Sequence, residues 1–512
     1  MSVKGNVNVK GMSRSSRWLT RLETVGNKLP DPAVLFIVMG MLILILSAIG
    51  GACGWQVVNP ANGETVAVVS LLTADGIRKI VNSMLTNLSG FGPLPSVILI
   101  MMGLGVAEGT GMLKALLTKS VSRLPRSLVT VALIFIAISS NVASDSGFIV
   151  LPPLAALIFL SMDQHPFIGI AAVYGAVAAG FNACIFLCTG DVLVAGMTET
   201  AARIIDPTFT VNPAVNYYFM AFSCIPLALA GAWVTKKFVA PRYQDLSGID
   251  RNGEKLEALS ALELRGLRNA GIAALAVIAV IGLGILPGGV LRDAETGGLI
   301  PSPLINGMVF FMTVIFLIPG IVYGKTVGVI KRDTDAVKFA AAGVASISTF
   351  LVLAFVASQV IAWFGWSNLG IFVAISGAQG LQNIGLSGIP LAIGVVLLCC
   401  LVNIFIGSQT AKWALVSSIF VPMLMLLKFD PAYTQILYRI GDSVTNPISP
   451  LFTYFPLMVG FLKKYDKSAG MGTAFSLMLP YSITFLLIWI VLLVVWTLFG
   501  LPLGPGGGIW LS

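Results

Sequence analysis

The sequence predicts an all-α polytopic membrane protein, an inverted repeat of nine transmembrane helices and two re-entrant helical hairpins. Three observations lead there. Of the 512 residues, 57% are hydrophobic and only 10% charged, and the mean hydropathy of +0.93 exceeds what a soluble globular chain of this size shows. Apolar runs of membrane length recur from end to end, with polar loops too short for an independent core between them. Finally, Lys and Arg obey the positive-inside rule only if two of the runs enter and leave on the same side.

In chain order the apolar runs are 32–54, 93–115, 127–160, 167–195, 216–240, 269–287, 304–324, 337–366, 389–427, 433–461 and 473–500. Two of them, 127–160 and 389–427, are too long for one crossing. If each crossed once, Lys236, Lys237 and Arg242 would lie opposite the basic N-terminus and the loop of Lys119, Arg123 and Arg126. Folded as hairpins they remove the conflict. The segments 1–31, 114–126, 236–268, 325–338 and 463–467 then become cytoplasmic and carry 24 of the 31 Lys and Arg residues. The net charge of +9 thus reports orientation rather than a nucleic-acid partner. The expected organisation is a cytoplasmic basic N-terminus (1–31), a first half (32–240), a cytoplasmic linker (241–268), a second half (269–500) and an external C-terminal tail (501–512). The N-terminus lacks a secretory cleavage pattern and is expected to stay uncleaved. The six cysteines lie in apolar runs without metal-ligand spacing, which argues against a disulfide framework or a metal centre.

On this count the two halves have opposite orientation, and each carries the same order of features. A hairpin with a polar tip and a proline on its return limb precedes a glycine-interrupted span bearing an aspartate. The first half reads "SSNVASDSGFIVLPP" (139–153) and "GFNACIFLCTGD" (180–191); the second reads "GSQTAKWALVSSIFVP" (407–422) and "GDSVTNPISP" (441–450). Broken helices at bilayer depth free N–H and C=O groups for an anion and a cation, the architecture of secondary transporters. Such backbone is tolerated only inside protein or against a wet cavity, so the polar motifs are expected to face each other.

Ionisable residues placed in the apolar layer are Glu108, Asp145, Asp191, Lys412, Arg439 and Asp442. Each unpaired charge there costs at least about 2.5–3.5 kcal/mol, so six point to function. Asp191 and Asp442 each follow a glycine in a broken span. A plainer account pairs Arg439 with Asp442 on adjacent turns, and a carboxylate that exchanges partners can still couple transport. Glu108 reads equally as a residue near the cytoplasmic end of its span, and Asp145 as a cap on the return limb of its hairpin. Oxygen-bearing residues at or near the tips, Ser140, Asn141, Ser144, Asn403, Ser408, Thr410, Asp442 and Asn446, offer ligands for sodium or a proton; helix capping accounts for the same residues more plainly. Trp413 beside Lys412 offers a face for an aromatic ring next to an ammonium for its carboxylate, or is simple packing. His165, in "DQHP", reads as a turn residue; Cys184 and Cys188 read as packing.

The chain resembles the AbgT family, the p-aminobenzoyl-glutamate importers and related sulfonamide exporters. The similarity rests on "LETVGNKLPDP" (22–32), "NLSGFGPL" (87–94), "SSNVASDSG", "PPLAALIFL", "GSQTAKWALVSSIFVPMLML", "YRIGDSVTNPISP" and "GLPLGPG" (500–506), nearly the whole length. The resemblance implies a homodimer in the bacterial inner membrane, each subunit with nine transmembrane helices and two re-entrant hairpins. It places the substrate path at Asp191, Thr410, Trp413, Pro431, Arg439, Asp442 and Pro450; Lys412, read from the residues as a further substrate contact, departs from the uncharged residue the resemblance implies at that tip. Ion ligands are expected among Asn141, Asn182, Asn403, Asp442 and Asn446, with Asn403 and Asp442 as the sodium pair.

The expected function is secondary active transport of p-aminobenzoyl-glutamate-like aromatic anions, and of sulfonamide antimetabolites, driven by a proton or sodium gradient. No cofactor is expected, and no nucleotide-binding loop is present to supply ATP energy. Two alternatives belong to other classes. An intramembrane aspartyl protease would use Asp191 and Asp442 as a dyad sharing one proton, although the tighter Gly-x-Gly-Asp pattern is absent. A Ser408–Lys412 dyad is a weaker enzyme reading. A passive channel fits poorly with hairpins entering from opposite faces.

Overall fold

Apolar residues fill both the interior and much of the outer surface, as expected of a chain whose solvent is lipid. The structure, a computed structural model, describes residues 32–58, 64–91, 93–121, 128–143, 146–244, 246, 259–299, 302–383 and 385–511. The basic N-terminus, the loop 122–127, part of the linker, and the tip residues Ser144 and Asp145 lie outside them. Among the described residues the fold is helical apart from one antiparallel strand pair, Gln56–Val58 with Thr65–Ala67, and isolated bridges.

Eight helices are long and apolar enough to cross a bilayer among the described residues. The count becomes nine if the pair Asp333–Ser346 and Phe350–Trp366, bent by 48°, is one span. These are not the nine expected spans: the count includes both limbs of the second hairpin, Gly388–Phe405 and Gln409–Leu426, and leaves out the runs 167–195 and 433–461, which are broken. The first resolves into Pro166–Ala179, irregular backbone, and Thr189–Ala202. The second resolves into Pro431–Val444, a short turn at Asn446–Ile448, and Phe455–Tyr465.

Other boundaries differ from expectation for identifiable reasons. The run 93–115 is interrupted, Pro93–Gly109 giving way to Met112–Val121 through Gly111 at φ 82°, a conformation that glycine adopts without strain. A helix begins inside the expected linker: Ser260 and Glu263 form a reciprocal cap, so Ala261–Gly284 starts well before its apolar stretch. Two helices are additional. Ala74–Ser89 is amphipathic, with no buried residue, and Leu369–Asn383 carries glutamines that lower its hydropathy.

The two hairpins are built alike. Both limbs of the first, Val129–Ser139 and Ser146–Ser161, pack on the helix that follows it, Pro166–Ala179. Both limbs of the second, Gly388–Phe405 and Gln409–Leu426, pack likewise on Pro431–Val444. The expected prolines are on the return limbs, Pro152 and Pro153 in one and Pro422 in the other. Glycines set the closest approaches. A Cβ on Gly441 would meet Cys399 Cβ at 2.5 Å, and one on Gly407 would meet the Leu451 carbonyl oxygen at 2.1 Å.

The tail after Gly500 turns back into the protein. The Leu503 carbonyl accepts from Phe219 N, and Asn212 Nδ2 donates to the Pro505 carbonyl. Farther on, Asp430 N donates to the Ile509 carbonyl and Leu511 N to that of Lys428, while Trp510 stacks on Phe429 at 4.7 Å. The tail thereby clasps the loop that launches Pro431–Val444. In that loop Asp430 caps the helix by accepting from Ala432 N, and burial pushes its carboxyl up to about 6.

Candidate functional site

Pro431–Val444 is polar for its depth yet buried along its whole length. Its polar side chains recur at helical spacing, Gln435, Tyr438 with Arg439, and Asp442 with Ser443, so they form a stripe aimed at the first broken span and the second hairpin.

Two buried ion pairs organise the stripe. Lys412 Nζ lies 2.6 Å from Asp442 Oδ1, each side chain 1% exposed, and also donates to Asn403 Oδ1. Arg439 Nη2 lies 2.6 Å from Asp191 Oδ1. Asp191 is held in turn by its other oxygen, which accepts from Cys188 N at the start of Thr189–Ala202. Charges this deep persist only when paired and hydrogen-bonded, and both pairs meet that condition. Arg439 Nη1 is nevertheless buried with no hydrogen-bond partner among the described residues.

Asn182, in the irregular part of the first broken span, joins the two halves. Its amide donates to Asp442 Oδ2 at 2.9 Å and Ser443 Oγ at 2.8 Å; its Oδ1 accepts from Gln409 Nε2 at 2.5 Å and Arg439 Nε at 3.2 Å. Its carbonyl accepts from Arg439 Nη2 at 3.0 Å. Asn403 secures the second tip, donating to the Asp442 carbonyl, Thr445 Oγ1 and Asn446 Oδ1 at 2.5, 2.8 and 2.9 Å.

Trp413 is fully buried and stacked on Tyr438 at 4.4 Å, so the face expected for a substrate ring is covered on that side. Its indole N–H donates to Thr198 Oγ1, which opens a buried relay through Gln435 and Asn216 to the Ala432 carbonyl. Tyr438 donates to the Gln409 carbonyl at 2.6 Å and to Asp442 Oδ1 at 3.3 Å.

The structure therefore brings together Asp191, Lys412, Trp413, Arg439, Asp442, Asn182, Asn403 and Asn446. Thr410 lies half-buried in the first turn of Gln409–Leu426, next to Gln409. Pro431 starts the central helix and Pro450 lies in the turn beyond it, at opposite ends of the stripe. Asn141 sits at the first tip. Asp442 pairs with Lys412 instead of the Arg439 three residues away, because the two side chains leave the helix toward different partners. The oxygens expected to hold sodium, on Asn403 and Asp442, here accept the Lys412 ammonium. Asp191 and Asp442 each face a cation, which is not the shared-proton geometry of a protease dyad. Glu108 is exposed near the end of Pro93–Gly109, and His165 caps Pro166–Ala179 by accepting from Phe167 N, both as expected of residues at helix ends.

Sequence reasoning missed Gln409, Ser443, Tyr438, Thr198, Gln435 and Asn216. The signal for Gln435, Tyr438 and Ser443 was available, since they continue the stripe of Arg439 and Asp442; the others are fixed only by tertiary packing. Beside the first break lies an apolar cavity of about 510 Å³ lined by Val142, Phe186, Tyr217, Leu267, Met312 and Phe316. A space of this size suits a small organic molecule or its ring.

Known proteins are similar to this chain over nearly its whole length. Residues 17–511 match the AbgT transporter family. The p-aminobenzoyl-glutamate transport protein of Escherichia coli strain K12 is 37% identical over 499 residues, covering 97% of this chain and 98% of that protein. The crystal structure of the Alcanivorax borkumensis YdaH transporter, which has an unusual topology, superposes with a TM-score of 0.87 at 37% identity, over 93% of this chain and 100% of that one. The structure of Neisseria gonorrhoeae MtrF, which illuminates a class of antimetabolite efflux pumps, superposes with a TM-score of 0.91 at 41% identity, over 96% and 100%. With a match that runs almost end to end and relatives well above 30% identity, this chain is a multi-pass membrane transporter and belongs to the AbgT family.

Proposed function

We propose that this transporter moves p-aminobenzoyl-glutamate-like aromatic anions across the bacterial inner membrane by secondary active transport, coupled to a proton or sodium gradient. The observation that carries the reading is Arg439, a buried guanidinium held by Asp191 from the other half of the chain, whose Nη1 has no hydrogen-bond partner among the described residues. A substrate carboxylate arriving at Nη1 would compete with Asp191 for the same fork, and binding would thereby change the contact between halves. The apolar cavity beside the first break supports an aromatic body for that substrate. The matching construction of the two hairpins, each straddling its own broken helix, supports an inverted repeat and alternating access. A homodimer with a cytoplasmic N-terminus and an external C-terminus completes the proposal.

Export of sulfonamide antimetabolites is a second reading, favoured by the likeness to MtrF. Purified protein in proteoliposomes separates the readings. With proton and sodium gradients imposed one at a time, p-aminobenzoyl-glutamate flux is expected to saturate and to follow one gradient. Flux of a sulfonamide alone would favour the second reading, and gradient-independent, non-saturating flux of either compound would overturn coupling.

A further inference from the structure

Two cysteines sit in the irregular backbone of the first broken span. Cys184 and Cys188 lie between Ala179, where one helix ends, and Thr189, where the next begins, and both are free thiols. In extended chain their Cα atoms would stand about 13 Å apart, beyond the reach of a disulfide. Bends at Ile185 and Phe186 turn the chain back, and the two thiols come within hydrogen-bond reach of each other. Each also has a backbone anchor. Cys184 Sγ donates to the Ser139 carbonyl and Cys188 Sγ to that of Phe186, both at 3.5 Å.

This loop matters because of what it adjoins. Asn182, just before Cys184, holds Asp442 and Arg439, and Asp191, just after Cys188, pairs with Arg439. The Cys188 N–H itself donates to Asp191 at 2.6 Å. Between the cysteines, Ile185, Phe186 and Leu187 wall the apolar cavity. A constraint on the loop therefore acts at once on the contacts between halves and on the cavity. Cys184 is 4% exposed and Cys188 half-buried, so an incoming reagent meets Cys188 first and leaves Cys184 to resolve the product.

We infer that Cys184 and Cys188 are a reversible oxidation site, closing to a disulfide under a small-molecule disulfide oxidant and slowing transport when closed. The Cys188 sulfur loses its proton, bonds to one sulfur of the oxidant and expels the other as a thiol. Cys184 then loses its proton, bonds to the Cys188 sulfur and releases the second thiol. Two electrons pass from the cysteines to the oxidant, and the two protons end on the thiols released. With Cys184 buried, the exchange takes on the order of minutes to hours. The new bond holds Ile185, Phe186 and Leu187 in place and fixes the Cys188 N–H on Asp191, so the Arg439 fork opens less readily to a substrate carboxylate. The effect on flux rests on the transport reading, whereas the bond itself does not.

The test uses the intact detergent-purified protein, held with oxidised or with reduced glutathione. Peptide mapping of the oxidised sample is expected to find residues 184 and 188 joined and two hydrogens lighter, and dithiothreitol to restore both thiols. In proteoliposomes the oxidised protein is expected to carry p-aminobenzoyl-glutamate about fivefold or more slowly than the reduced protein. Cys184→Ser, whose hydroxyl can still donate to the Ser139 carbonyl, is expected to keep the same flux under both conditions; if that variant does not fold, mapping of the wild type still decides the bond. Free thiols at both positions after oxidation, or glutathione left standing on Cys188, would overturn the disulfide. A closed disulfide with undiminished flux would overturn its control of transport. Flux missing from the reduced protein as well would count against the transport reading, with the mapped bond still deciding the oxidation site.

Discussion

The two buried ion pairs resemble each other in chemistry and differ in what they join. Lys412–Asp442 lies within the second half, between a hairpin limb and the helix it straddles. Arg439–Asp191 spans the halves, 248 residues apart in sequence. Among the described residues Lys412 has only Asp442 to neutralise it, aided by one neutral oxygen, whereas Arg439 also has Asn182, and Asp191 has a backbone N–H at a helix N-terminus. The first pair is thus expected to matter most to stability, the second to the coupling between halves.

The largest effect follows from isolating a charge of the first pair. Lys412→Met or Asp442→Asn leaves its partner buried and unpaired, which costs about 3–5 kcal/mol. Thermal unfolding in detergent checks this, and the double variant is expected to recover most of the loss; additive losses would refute mutual neutralisation. Next comes Asp191→Asn, expected to cost about 1.5–3 kcal/mol as one charge-assisted bond is weakened. Because Asn182 still holds Arg439, substrate flux is expected to fall more than stability does, and equal loss of both would erase the distinction between the pairs.

The smallest effect concerns the loop at the start of the shared helix. Burial raises the Asp430 carboxyl to about 6, above its ordinary value near 4. The folded protein then holds a proton that the unfolded chain gives up, so stability is full below about pH 4 and declines as pH rises through about 6. Its backbone partners are Ala432 N and Gly508 N. Asp430→Asn is expected to flatten this dependence, worth about 1–2 kcal/mol after allowance for partial exposure. Hydrogen exchange of residues 501–511 between pH 4 and 7 measures it, and an unchanged slope would exclude Asp430.

Much of this comparison was legible in the sequence. Glycines marked the break at 180–191, glycine and prolines that at 441–450, and six ionisable residues in apolar runs marked the polar centre. Partner choice was not legible. Three residues along a helix make Arg439 and Asp442 plausible neighbours, but Asp442 meets Lys412, a residue of the second hairpin's return limb, through tertiary packing that the sequence does not show. The tail was also missed, since its docking relies on backbone hydrogen bonds that any residue type can supply. The amphipathic helix Ala74–Ser89 failed a search tuned to apolar runs because only one of its faces is apolar.

Lys412 has a consequence for how the protein is made. Its charge enters the membrane on a hairpin that contains no acid to neutralise it, and Asp442 emerges from the ribosome thirty residues later. Until then the hairpin carries the full cost of a lone ammonium and is better held at the aqueous face than settled between its neighbours. Assembly of the second half thus waits on one later helix, which arrives bearing both the carboxylate for Lys412 and the arginine for an aspartate already in place.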